Sequence, residues 1–146
     1  MNIDLGKCDQ ERYLNIKSEV REVMEYEIGF FLNVLRYMDT HPDALIGAAD
    51  LLSELGYYEK SLQYDLMLVN LFPDNSEVRY NYACSLSLCN QVDQSYAELI
   101  NAIQFGYNNF KHLFKDRDLE SVLYVYSRQL KQYIKKLLKE ASHDTC

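Results

Sequence analysis

Four cysteines, three histidines and one closely spaced acidic pair are the side chains of this 146-residue chain that invite a chemical reading. Cys84 and Cys89 with His112 are the types that hold a soft metal, and Asp116 with Asp118 would suit a metal or acid–base work. Their spacing points elsewhere. Cys8, Cys84, Cys89 and Cys146 follow no disulfide framework or zinc pattern. On a shared helix an offset of five turns Cys84 and Cys89 about 140° apart, too far around the axis for a local bridge. The cysteines therefore read as small buried hydrophobes, and Asp116 or Asp118 as the N-cap of a helix. His41 stands beside a turn proline, His143 lies in a polar tail, and His112 reads as a surface or capping residue. There is no G-x-S-x-G, no glycine-rich phosphate loop, no H-E-x-x-H and no C-x-x-C. The sequence thus predicts no catalytic residue, no metal site and no cofactor.

Composition narrows the field further. A net charge of −7 gives a long-range field that repels phosphate backbones, which argues against nucleic acid. Only five Gly and two Pro leave little punctuation for an all-β fold. A chain of this length buries on the order of 70 % of its unfolded surface, enough for a core without disulfides. The opening MNIDLGKCDQERY has no basic region followed by an apolar run, so the expected location is cytoplasmic. The longest apolar-rich stretch, Ile28 to Leu35, is too short to span a bilayer as a helix. Charge is uneven: residues 1–114 carry 8 basic and 17 acidic side chains, whereas 115–146 carry 7 and 5. The basic excess sits on the last helix, at Arg128, Lys131, Lys135, Lys136 and Lys139.

The elements that must position these residues follow a period of 34. Pro42 to Asn75 aligns without a gap on Ser76 to Asn109, pairing Ala49 with Ala83, Leu52 with Leu86, Ser61 with Ser95 and Val69 with Ile103. Gly56 falls on Asn90, and these two types most readily take the left-handed conformation that ends a helix. Each unit reads as helix, turn, helix. The first has its stripe at Leu45, Ala48, Ala49, Leu52 and Leu55, then Tyr58, Leu62, Leu66, Val69 and Leu71 up to Pro73. Ser76 is the expected N-cap of the second unit, whose stripe is Val78, Tyr82, Ala83 and Leu86. Residues 10–38 carry apolar positions at Tyr13, Ile16, Val20, Val23, Met24, Ile28, Phe31, Leu35 and Met38. They predict one long helix, or two bent near Gly29, as a degenerate repeat. After Gly106 come a short helix and a final helix from Leu119 to about Glu140, capping the array over 110–141. Tyr58, Tyr82 and Tyr96 read as core, while some of Tyr57, Tyr107, Tyr124 and Tyr126 are expected at an interface.

Residues 42–109 resemble two tetratricopeptide repeats. Leu45 and Arg79 stand at the family's Trp, Ala48-Ala49 and Tyr82-Ala83 at its Leu-Gly pair, and Leu52 and Leu86 at the following Tyr. Ser61 and Ser95 stand at the Ala opening the second helix, Asp65 and Leu99 at its aromatic partner, Leu68 and Ala102 at the later Ala, and Pro73 and Tyr107 at the final Pro. The segment GYNNFKHLFKDRDLESVL is similar to the closing element of many bacterial arrays of this kind.

The resemblance implies an all-α, right-handed helix-turn-helix solenoid with a long N-terminal helix and a C-terminal capping helix, acting as a protein-binding adaptor or scaffold. First helices of such arrays line a concave groove, which here implies Asp43, Ile46, Asp50 and Glu54 from one unit and Glu77, Tyr80, Cys84 and Leu88 from the next. The expected ligand is a protein segment, basic and with an apolar anchor. Relatives that clamp a C-terminal carboxylate use Lys and Asn at groove positions, but Ile46 and Asp50 stand there and Asn81 alone keeps the type. Two rivals remain: a small acidic chaperone of the bacterial type III secretion kind, and a homo-oligomer, possible as a dimer through residues 10–38.

Overall fold

The computed structural model describes residues 4–144; Cys146, read above as a buried hydrophobe, lies outside them. Its helices are α1 (Gln10–Asn15), α2 (Ser18–Tyr37), α3 (Pro42–Glu54), α4 (Tyr58–Leu71), α5 (Ser76–Leu88), α6 (Val92–Gln104), α7 (Phe110–Leu113) and α8 (Glu120–His143), with a 3-10 turn at Arg117–Leu119. The described residues contain no strand, so the all-α expectation holds.

The 34-residue period is visible in hydrogen bonds as well as in helix positions. His41, Asn75 and Asn109 each cap a helix, their side chains accepting from the N–H of Ala44, Val78 and His112 at 3.3, 3.1 and 3.2 Å. Asn75, not Ser76, is therefore the cap of α5; its side chain reaches a free N–H three residues on, while Ser76 is already helical. Gly56 and Asn90 take φ of +93° and +59°, as their side chains allow. Past them the N–H of Tyr57 and Gln91 returns to the carbonyls of Leu52 and Leu86, each at 2.8 Å, closing α3 and α5. Inside each hairpin a fully buried serine bridges the two helices: Ser61 Oγ donates to Ala49 O at 2.8 Å and Ser95 Oγ to Ala83 O at 2.7 Å. The small Ala at each site lets the backbone come that close.

Two apolar clusters fill the molecule. One gathers Met24, Ile28, Leu32 and Leu35 of α2 with Leu45, Leu52 and Leu68; the other gathers Ala83, Leu99 and Ile103 with Leu113, Leu119, Val122 and Leu130 from the C-terminal segment. Helix α2 packs on α3, and α8 packs on α5 and α6.

The N-terminal stripe differs from expectation. The chain breaks at Ile16–Lys17, and α2 runs without a break through Gly29. Val20, Val23 and Met38 are exposed while Leu32 is buried, because only the face toward α3 is covered. In α4 the stripe is likewise rotated: Leu66 and Leu71 are exposed and Asp65 is buried. Tyr107, a candidate interface residue, is also buried.

Candidate functional site

Helix α3 presents Asp43, Ile46, Asp50 and Glu54 to solvent, residues spaced by three and four and hence on one face. Ile46 is 41 % exposed, an apolar side chain among acids. On α5 Glu77 and Asn81 are exposed and Leu88 is half-buried.

Tyr80 and Cys84 differ from the groove reading, being only 4 % and 7 % exposed. The chain itself covers them. After α6 it turns at Gly106, so the Tyr107 ring lies stacked on Tyr80 at 4.2 Å, and beyond α7 the 3-10 turn folds across α5. Asp116 then accepts from the Tyr80 hydroxyl at 2.7 Å and from the Cys84 thiol at 3.8 Å, and its Oδ2 lies 3.3 Å from His112 Nε2. Burial, then the Asp116 and Asp118 charges, push the Cys84 thiol well up. Such a group stays a thiol at neutral pH, because both effects penalise the thiolate that a nucleophile or metal ligand requires. Cys, His and Asp thus come together with the electrostatics reversed from those of an activated cysteine.

Between α3, α5 and the segment 112–118 remains a cleft of about 130 Å³. Asp50, Asp65, Asp116 and Asp118 line it with His112, and among the described residues no Lys or Arg does. Asp65 is the deepest of them. Burial pushes its carboxyl up to about 7, against the hydrogen bond from Ser85, with the Asp50 charge adding to the rise. Asp50 is itself raised, by desolvation and then by Glu54. Arg12 of α1 reaches Asp118 at 3.2 Å, the Glu54 carbonyl at 3.1 Å and the Tyr58 hydroxyl at 3.5 Å.

Of the eight groove residues read from the sequence, α3 contributes all four of its members to one open face, whereas on α5 only Glu77 is exposed and Leu88 half-buried. Asp65, Ser85, Asp116 and Asp118 were missed as site residues. For Asp65 a signal existed, since the 34-residue register sets this carboxylate where the second unit has buried Leu99.

No protein-family model matches the chain, and comparison with curated proteins and with solved structures finds no relative.

Proposed function

We propose that this protein is a non-enzymatic adaptor of the helical-repeat, tetratricopeptide-like kind, which takes a basic segment of a partner protein at the cleft between α3, α5 and the 112–118 segment. The observation that carries the reading is the set of four aspartates around a cleft lined by no Lys or Arg among the described residues. Burial makes Asp65 and Asp50 resist ionisation, and a guanidinium or ammonium group entering beside them relieves that cost. Ile46, one turn along α3 from Asp50, offers an apolar contact just outside. The charges steer and select, while the desolvated anchor contributes most of the affinity.

The test is fluorescence anisotropy with labelled peptides on a neutral Gly/Ser background, carrying one Lys or Arg and one Leu or Phe at helical or extended spacing. Peptides with both features bind in this reading, and their Glu counterparts do not. Asp50→Lys and Ile46→Ala each weaken binding, by roughly tenfold for a change of about 1.4 kcal/mol. If both variants bind like the parent protein, the cleft is not the site.

A further inference from the structure

Helix α2 carries a second apolar stripe that faces away from α3. Val23, Tyr26, Phe30 and Tyr37 are all exposed, Tyr26 by 83 % and Phe30 by 61 %, and at 100° per residue they fall within about 60° of one another. Glu19 lies within the same sector and Glu27 about 40° to one side of it, and neither is paired with a cation among the described residues. The repeat register explains why this face is bare. Glu27 stands thirty-four residues before Ser61, which reaches across to the first helix of its own hairpin, as Ser95 does. In front of α2 the corresponding first helix is reduced to the six residues of α1, so Glu27 meets solvent where Ser61 meets a backbone.

At the other end of the array, α8 shows a face of matching size and opposite sign. Arg128, Lys131, Lys135 and Lys139 are all exposed, and none pairs with a carboxylate among the described residues. Tyr124 and Leu138, also exposed, lie among them. Glu19 to Glu27 and Lys131 to Lys139 both span eight residues, about 12 Å of helix.

We propose that a second copy of this chain docks on α2 through its α8, head to tail, with the Glu19/Glu27 and Lys131/Lys139 pairs opposed across an antiparallel helix contact and Tyr26 and Phe30 buried between them. Charge selects this arrangement over a symmetric α2–α2 dimer, in which Glu19 and Glu27 would confront their own copies. Because the two surfaces differ, the contact is heterologous and every copy retains one free end, so association continues past the dimer.

Sedimentation velocity from low micromolar to several hundred micromolar protein, at low salt, tests this. The parent protein is expected to form concentration-dependent species larger than a dimer, and high salt to reduce them. Glu19→Lys with Glu27→Lys blocks the α2 face; Lys131→Glu with Lys139→Glu blocks the α8 face. Each variant alone is expected to be monomeric with parental helicity by circular dichroism. Mixed, the intact α8 of the first meets the intact α2 of the second, and the two charge-reversed faces are complementary in their turn, so association is restored. Phe30→Ser, which leaves every charge in place, reduces association by the same face should a charge variant misfold. A parent protein monomeric throughout, an α8-blocked variant that still self-associates, or a mixture that stays monomeric overturns the proposal. Binding of monomeric parent protein to anionic vesicles through α8 would also overturn it, assigning the basic face to a membrane surface.

Discussion

The Tyr80 hydroxyl donates to Asp116 at 2.7 Å, joining the middle of α5 to the turn that precedes α8. This bond, with the Tyr107 ring stacked on the same tyrosine, is how the C-terminal segment is held across α5. Removing the hydroxyl alone in Tyr80→Phe leaves a largely buried carboxylate short of one donor and is expected to cost about 1–3 kcal/mol. Tyr80→Ala also empties the space between Tyr107 and α5, for a loss of roughly 3–5 kcal/mol. Urea denaturation measures both, and an unchanged midpoint for Tyr80→Ala would show that the ring is not buried.

Asp65 sets a pH dependence with a definite sign. Its folded-state value, about 7, lies above that of an unfolded aspartate, so the fold favours the protonated acid. The stabilisation is complete below the ordinary carboxylate range and is lost as the pH rises to about 7. The parent protein is therefore expected to be more stable near pH 5 than near pH 8, by on the order of 1–4 kcal/mol from this group. Asp65→Asn keeps an acceptor for Ser85 and removes the titration, so its melting temperature should vary less over that range. A parallel pH profile for the two proteins would count against it.

Ala83 lies in the second hairpin where Ser95 reaches its carbonyl at 2.7 Å, and it has no exposed surface. Ala83→Leu forces extra volume between α5 and α6 and is expected to cost about 1–3 kcal/mol. Ser95→Ala removes the donor and leaves that carbonyl without this side-chain bond, for roughly 0.5–1.5 kcal/mol. Denaturation midpoints for both variants test the close approach directly.

Gly56 and Asn90 occupy equivalent turns but are not equally replaceable. At both, Ala meets left-handed strain of roughly 1–2 kcal/mol. At Gly56 the new Cβ would also lie 2.8 Å from the Asp9 carbonyl oxygen, because the N-terminal segment crosses that turn and Asp9 N bonds Gly56 O at 2.9 Å. Gly56→Ala is thus expected to destabilise more than Asn90→Ala. Equal losses in thermal denaturation would mean that the segment around Asp9 yields without cost.

What the sequence settled by itself is local and periodic. The spacing of Ala49, Leu52, Ala83 and Leu86, the Gly56 and Asn90 turns and the stop at Pro73 placed four helices to within about two residues, since capping, left-handed φ and the 3.6-residue stripe act over one or two turns. The same grid gave the acidic, partly apolar face of α3. Which surfaces are covered was decided only by tertiary structure. A helical stripe reports which side of a helix is apolar and not what lies against it. Tyr80 and Cys84 read as groove residues until the returning 107–119 segment packs over them, and Val20 and Val23 read as core until α2 is found without a full first helix of its own. The four-aspartate cleft belongs to the same class. Asp50, Asp65 and the Asp116–Asp118 pair are distant from one another in the chain, and long-range packing alone sets them around one space, where burial raises Asp65 and Asp50.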